Sequence, residues 1–149
     1  MSLALVDGRQ SEAALAIARG ARRLMRSLGV SSVTELSLRD GRRADIVGLG
    51  PDGELWIVEV KSCPTDFRAD HKWRDYAALC DRLYFAISDA TPPDIMPDEA
   101  GLILADRFGA AILREAARRP LAPATRRAMM LRFASVAADR LHRLVDSEF

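Results

Sequence analysis

The sequence predicts an α/β fold, in which helices flank one mixed β-sheet in the order αβββαβ and a C-terminal helical extension follows. Apolar residues recur at helical spacing near both ends of the chain, and β-branched and aromatic segments lie between them, separated by glycine-containing turns. The 149 residues, 49% hydrophobic and 29% charged, suit a globular protein with one core. We therefore expect residues 1–149 to form a single domain.

The first helix is predicted over residues 11–28. Ser11 is a candidate N-cap, and Gly29 is a natural end for the helix. One side repeats apolar residues every three or four positions: Ala14, Ile17, Ala21, Leu24, Met25 and Leu28. The other side carries Arg19, Arg22, Arg23 and Arg26.

Three strands are predicted next, over residues 33–38, 44–49 and 54–61. An Asp-Gly pair at 40–41 and the segment GPDG at 50–53 supply the turns between them. Alternation in the first strand predicts Val33, Glu35 and Ser37 on one face and Thr34, Leu36 and Leu38 on the other.

The second half of the core begins with a predicted helix over residues 66–79. A buried strand is expected over 82–88 and another strand over 101–106. Residues 89–99 between them form a loop with three prolines, or a loop around one short turn. Residues 109–116 either continue the sheet or begin a helix.

A long amphipathic helix is predicted over residues 126–145. Its apolar residues recur every three or four positions: Ala128, Leu131, Ala134, Ala138, Leu141 and Val145.

Composition excludes several classes of protein. No segment is apolar enough to span a bilayer, and the N-terminus lacks the pattern of a secretory signal, so we expect a cytoplasmic protein without a membrane partner. Cys63 and Cys80 fit neither a disulfide framework nor a zinc spacing. His71 and His142 are far from the cysteines and from each other, and we expect both on the surface.

The net charge of +1 conceals an acidic centre between basic flanks. Residues 44–106 carry thirteen acidic and five basic side chains, whereas residues 107–143 carry nine arginines and two acids. This pattern suits a polyanion held around a cation-binding pocket. Solvated helix faces in an arginine-rich protein would produce the same pattern.

The two lysines of the chain, beside twenty arginines, both lie between residues 56 and 73. If the hairpin turns near Asp52, the numbers of facing residues sum to about 104. Asp45 then lies opposite Glu59, and Lys61 shares their face because strand side chains alternate. The register thus predicts two carboxylates and one ammonium at one end of the sheet.

Two carboxylates with open coordination positions suit Mg²⁺ or Mn²⁺. A lysine beside such an ion could orient a water, act as a base or neutralise developing negative charge, and arginine serves less well because it does not give up its proton. The structural alternative is an ordinary Glu-Lys pair on a half-exposed sheet.

Asp45 followed by Glu59-Val60-Lys61, within an αβββαβ unit over residues 11–88, resembles the PD-(D/E)xK nuclease superfamily with its restriction-endonuclease-like fold. Ala44 stands where that motif has proline. More narrowly, the segments ELSLRDGRRADIVGL, IVEVKS, DFRADHKWRDY, CDRLYFAI and GLILAD resemble the bacterial MmcB-like family, which is associated with DNA repair.

This resemblance implies a divalent-metal-dependent DNA nuclease that uses Mg²⁺ or Mn²⁺. Asp45, Glu59 and the Val60 carbonyl would hold the metal, and Lys61 would be the catalytic lysine. Glu35 and Glu12 are candidates for a further catalytic acid, and Glu35 is favoured because its strand leads into the hairpin.

Lys72, Arg43 and Arg19 are the candidate substrate-binding residues. For Lys72, a phosphate contact and an exposed surface position are equally compatible with the sequence, whereas Trp73 is expected to pack in the core. The alternative function is a DNA-binding or repair-partner protein that keeps a nuclease fold without cutting. Either function is compatible with a homodimer.

Overall fold

In the computed structural model, which describes residues 11–63, 65 and 73–148, a six-stranded sheet carries helices on both faces. This confirms the predicted α/β class. The elements are α1 (Glu12–Ser27), β1 (Ser31–Ser37), β2 (Arg43–Leu49), β3 (Leu55–Val60), α2 (Trp73–Ala77), β4 (Arg82–Ile87), β5 (Gly101–Ala105), β6 (Ala110–Arg114) and α3 (Pro123–Val145), with a 3₁₀ turn at Pro93–Ile95.

The sheet is mixed, and its strands follow chain order from β1 to β6. β1, β2 and β3 pair antiparallel, whereas β3, β4 and β5 are parallel and β6 is antiparallel to β5. The C-terminal ends of β3, β4 and β5 therefore share one edge of the sheet, here named the carboxyl edge. Ligands of open α/β sheets commonly bind outside such an edge.

Helix α1 covers one face of the sheet. The Ser11 hydroxyl accepts a hydrogen bond from the Ala14 N–H, and Gly29 follows the helix with a φ of 78°, as the predicted cap and stop require. Gly20 faces the β5–β6 loop, where an added Cβ would lie 1.8 Å from the Asp106 carbonyl oxygen. The close approach of α1 to this loop therefore depends on glycine.

Helices α2 and α3 cover the opposite face. Trp73 packs edge-on against Phe85, with 6.2 Å between ring centroids, which confirms its predicted place in the core. Cys80 is buried in the same cluster, and burial raises the pKa of its thiol to about 12. Residues 66–72 of the predicted second helix, with His71 and Lys72, lie outside the described residues.

The position of α3 differs from the prediction in two ways. The helix begins at Pro123, three residues earlier than predicted, because proline is well suited to the first turn. It packs on the sheet through Met129 and Phe133, and not through the apolar residues that the sequence pattern places on one side of the helix. The residues Leu131, Ala134, Ala138, Leu141 and Val145 are all exposed.

Residues 109–116, for which strand and helix were both open, contain the strand β6. The Asp106 carboxylate accepts hydrogen bonds from the N–H groups of Phe108 and Gly109, which closes the tight turn from β5 into β6.

The alternation predicted for β1 is wrong at Glu35. This residue has a φ of 49°, and Val33, Leu36 and Leu38 all belong to one buried cluster. The Arg140 guanidinium of α3 donates hydrogen bonds to the carbonyls of Thr34 and Glu35 and so stabilises the irregularity. A left-handed glutamate costs conformational energy, which this contact helps to offset.

A buried carboxylate, Asp81, ties α3 to the sheet. It accepts hydrogen bonds from the N–H groups of Leu55 and Leu121 and from both terminal nitrogens of Arg126, at 2.6–2.9 Å. Burial alone would raise the pKa of Asp81, but the Arg126 guanidinium and the two N–H groups outweigh it and lower the pKa to about 2. One side chain thus joins β3, α3 and the segment between β6 and α3.

We expect Arg126→Met to lower the free energy of unfolding by about 3 kcal/mol, because it leaves the Asp81 charge buried without its partner. Urea unfolding at pH 7 measures the change. Arg143→Met on the same helix is the matched control, since its exposed ion pair with Asp139 contributes about 0.5 kcal/mol or less. Equal losses in the two variants would contradict the role assigned to Asp81.

The ionised Asp81 also predicts a pH dependence. The pKa of Asp81 is about 2 in the folded chain, whereas the ordinary value of 3.8 applies to the unfolded chain. Its stabilising contribution is therefore present above about pH 4 and is lost as the pH falls toward 2. The stability difference between the wild type and Asp81→Asn should therefore shrink by about 2 kcal/mol over this range. Urea unfolding of both proteins between pH 6 and pH 2.5 measures it, and a difference that does not change with pH would refute the prediction.

Candidate metal and catalytic site

The turn between β2 and β3 sets the register on which the site depends. The Gly50 N–H donates to the Glu54 carbonyl at 2.8 Å, and Gly53 has a φ of 89°, which glycine adopts without strain. Ile46 faces Val58 and Val47 faces Ile57, so the position numbers sum to 104. The predicted register is confirmed.

Beyond Ile46 and Val58, the two strands are joined by side chains instead of ladder hydrogen bonds. The Asp45 N–H donates to Oε2 of Glu59 at 2.8 Å, and the Val60 N–H donates to Oδ2 of Asp45 at 2.8 Å. Each carboxylate thus binds the backbone of the opposite strand. The structure brings Asp45 and Glu59 together at the carboxyl edge, as the register predicts.

The Val60 carbonyl is the third predicted oxygen ligand. The N–H and C=O groups of one strand residue point to the same side of the strand. Because the Val60 N–H is bonded to Asp45, we expect the Val60 carbonyl to face β2 as well. Its oxygen then lies on the side where the two carboxylates meet.

The site is largely shielded from solvent. Glu59 is 4% exposed and Lys61 is 8% exposed, while Asp45 is partly buried. Burial raises the pKa of Asp45, and the Val60 N–H and the Lys61 charge oppose that rise. The carboxylate is therefore held in an environment in which additional positive charge is stabilising.

Lys61 is fixed to the sheet through its backbone. Its N–H donates to the Ala86 carbonyl of β4 at 2.9 Å, directly after the end of β3. On the other side of the site, the Tyr76 hydroxyl of α2 donates to the Arg43 carbonyl at 3.3 Å. Burial is the main cause of the raised pKa of the Cys80 thiol, and the charge of Glu59 contributes to it. The sequence did not predict the contributions of Tyr76 and Cys80.

Glu35 lies at the position of β1 that faces Asp45, between the pairs Thr34–Ile46 and Leu36–Ala44. Its carboxylate is 3.6 Å from the Arg43 guanidinium. Within the described residues, no group of three or more histidine, cysteine, aspartate or glutamate side chains could hold a metal ion. Glu35 therefore does not form a three-carboxylate cluster with Asp45 and Glu59, and Glu12 begins α1 on the exposed surface.

The donor set fits a hard divalent cation. Two carboxylates and one carbonyl offer only oxygen, which Mg²⁺ and Mn²⁺ prefer, and Mg²⁺ usually keeps several waters in protein sites. The shared hydrogen bonds also hold the two carboxylates in place before any ligand binds. A site of this composition would take its remaining ligands from water or from a phosphate.

The groove between α1 and β1 is basic. Arg19, Arg22, Arg23 and Arg26 line it, together with residues 29–32, Thr34 and Glu35, and its volume is about 800 Å³. Arg22 donates to the side chain and the carbonyl of Ser32, and Arg23 donates to the Phe108 carbonyl. None of the four forms an ion pair with another described residue. We call this feature the arginine groove.

The arginine groove and the Glu59 carboxylate lie on different faces of the sheet. Val58 and Val60 pack under α1, so the side chain of Glu59 between them lies on the face of α2 and α3. Glu35 lines the groove and also neighbours Asp45, so the two features meet at the β1 edge. Arg43 lies beside this junction.

No helix in the described part of the chain is long and apolar enough to cross a membrane.

Comparison with known proteins gives one family and one solved structure. The family model described as "DNA repair protein MmcB-like" matches residues 1–148. A protein of unknown function from Silicibacter pomeroyi has a similar structure, with a TM-score of 0.88 and 42% identity, over 94% of this chain and 96% of that chain. No curated protein matches the sequence.

Proposed function

The chain belongs to the MmcB-like family of DNA repair proteins, and from this premise we propose that it is a divalent-metal-dependent DNA nuclease of the PD-(D/E)xK type. The observation that carries the proposal is the reciprocal bonding of Asp45 and Glu59 beside a buried Lys61. Burying Glu59 and Lys61 and partly burying Asp45 is costly, and two hydrogen bonds between strands do not require three ionisable side chains. A catalytic site accounts for that cost.

Asp45, Glu59 and the Val60 carbonyl would hold Mg²⁺ or Mn²⁺. When bound, such an ion supplies Lewis-acid chemistry at a phosphodiester and a stronger nucleophile at neutral pH. Each carboxylate accepts a backbone N–H of the opposite strand, so the oxygens that would hold the ion have a fixed position relative to the sheet. Glu35 is the candidate for a further acid, acting from the β1 edge.

Lys61 would act at the reacting phosphate. Its ammonium stabilises the negative charge that develops on the phosphoryl oxygens, or it orients the attacking water by hydrogen bonding. Water adds to phosphorus, the bond to the 3′ oxygen breaks, and the products are a 5′ phosphate and a 3′ hydroxyl. Its low exposure keeps the ammonium away from competing solvent.

The arginine groove supplies the contact with the DNA backbone. A line of guanidinium groups without ion pairs to the described residues attracts phosphates whatever the base sequence. Arg19 and Arg43 are the predicted contacts on the groove and at the junction. Lys72 remains a predicted contact and lies outside the described residues.

A second candidate function is DNA binding without cleavage. One observation favours it: the pair of carboxylates has no third acidic side chain among the described residues within metal-binding reach. Such a protein would use the arginine groove to hold DNA for a repair partner.

We expect the purified protein to cleave single-stranded, duplex or branched DNA with Mg²⁺ or Mn²⁺. Asp45→Asn and Lys61→Met should each reduce cleavage by about 100-fold or more, because Asp45 would hold the ion and Lys61 would act at the reacting phosphate. Asparagine keeps an acceptor for the Val60 N–H, so the strands should stay joined. Gel assays with end-labelled substrates measure the rates.

The matched control for the cleavage assay is Asp98→Asn. Asp98 precedes β5, at the edge opposite the carboxyl edge, and its side chain is almost fully exposed. Thermal melting confirms that the variants fold. Cleavage that survives in both Asp45→Asn and Lys61→Met would contradict the proposed site, and DNA binding without cleavage on every substrate would select the second function.

We expect Arg19→Ala with Arg26→Ala to weaken DNA binding and to reduce its salt dependence. Two lost phosphate contacts lower the slope of log K against log salt by about 1.5. Fluorescence anisotropy of labelled DNA between 50 and 200 mM salt measures the slope. Arg119→Ala is the control, because Arg119 lies near Asp81 and outside the groove. Equal slopes for the wild type and the double variant would remove the groove from the DNA-binding surface.

A further inference from the structure

Helix α3 carries arginines on the side that faces the sheet, beside the buried Met129 and Phe133. Arg126 binds Asp81, Arg132 binds the Ser37 carbonyl, and Arg140 binds the carbonyls at Glu35 and Thr34. The opposite side presents a second apolar line to solvent. A surface helix normally presents polar residues on that side.

This apolar line consists of Leu131, Ala134, Ala138, Leu141 and Val145, and we call it the outer stripe. Its members follow each other at intervals of three, four, three and four residues, which is the a/d spacing of a coiled coil. Leu131 is 56% exposed, Leu141 62% and Val145 81%. Because the stripe lies on the side away from the sheet, the core formed by the described residues does not cover it.

We propose that the outer stripe is the interface with a second copy of this chain, in which two α3 helices pair antiparallel. In antiparallel helix pairs, a positions meet d positions of the other helix. Leu131 of each copy then contacts Leu141 of the other, so this leucine pair occurs once at each end of the interface. Ala134 meets Ala138 of the second copy in the middle, where small side chains let the helices approach closely.

Charge complementarity selects this orientation and this occupant. Arg127 continues the stripe at its N-terminal end, and Asp146 caps the helix at the other end; both are exposed. Antiparallel pairing places each Arg127 near Asp146 of the second copy, whereas parallel pairing places Arg127 against Arg127. The stripe is thus complementary to itself in both size and charge, as a two-fold interface requires.

The β1 edge of the sheet offers a poorer dimer surface. β1 is an edge strand, and arginines from both neighbouring helices donate to its carbonyls at Ser32, Thr34 and Ser37. Covering an edge in this way blocks strand addition by another chain. Association through α3 leaves these contacts and the carboxyl edge intact.

Sedimentation velocity at micromolar concentration tests the proposal. The wild type should sediment with twice the monomer mass of 16.4 kDa, and Leu131→Glu with Leu141→Glu should reduce it to the monomer mass. Leu113→Glu is the matched control, because Leu113 on β6 is 50% exposed and lies outside the stripe. A monomeric wild type, or a control variant that dissociates to the same extent, would overturn the proposal.

Disulfide trapping tests the orientation. In a Cys63→Ser background, Ala134→Cys and Ala138→Cys are made as separate proteins and oxidised alone or as an equal mixture. Antiparallel pairing predicts faster cross-linking in the mixture, because the two positions face each other across the interface. Equal or faster cross-linking within each single variant would refute the antiparallel alignment. Neither readout depends on nuclease activity.

Discussion

The pairing of β2 with β3 is the constraint on which the rest of the site depends. A one-residue slip would move Asp45 to the opposite face and separate it from Glu59. The glycine turn at 50–53 prevents such a slip, because Gly53 adopts a backbone conformation that other residues avoid. Where the ladder ends, the two carboxylates replace its hydrogen bonds, so the same groups that suit a metal also hold the strands together.

Local chemistry made much of this predictable. The glycines of the turn predicted the hairpin, and Ser11 and Gly29 predicted the ends of α1. Counting outward from the turn along both strands gave their register, in which Asp45 lies opposite Glu59. The failures came from contacts between distant segments. Glu35 breaks the alternation of β1 where Arg140, more than a hundred residues later, binds its carbonyl. Helix α3 has apolar residues on two sides, and the pattern alone could not tell which side would meet the sheet.

The structure accounts for the preference for arginine over lysine in this chain. A guanidinium can donate several hydrogen bonds in one plane, and Arg22, Arg126 and Arg140 each use this to bind two or three acceptors. In this chain, arginine side chains of the helices bind backbone carbonyls of β1 and the carboxylate of Asp81. Lys61 is fixed by its backbone as well, because its N–H donates to the Ala86 carbonyl of β4.

Electrostatics connects the carboxylates with the cation that we propose for them. Burial raises the pKa of Asp45, so the carboxyl ionises less readily than an exposed one. Lys61 lowers that pKa by its charge, yet one lysine offsets only one of two buried carboxylates. The two ionised carboxylates and the Lys61 ammonium together carry a net charge of −1, and a bound divalent cation would change this to +1. A cation there would stabilise both ionised carboxylates at once, and a phosphate would supply the remaining negative charge. The site thus has the balance expected of one completed by both metal and substrate.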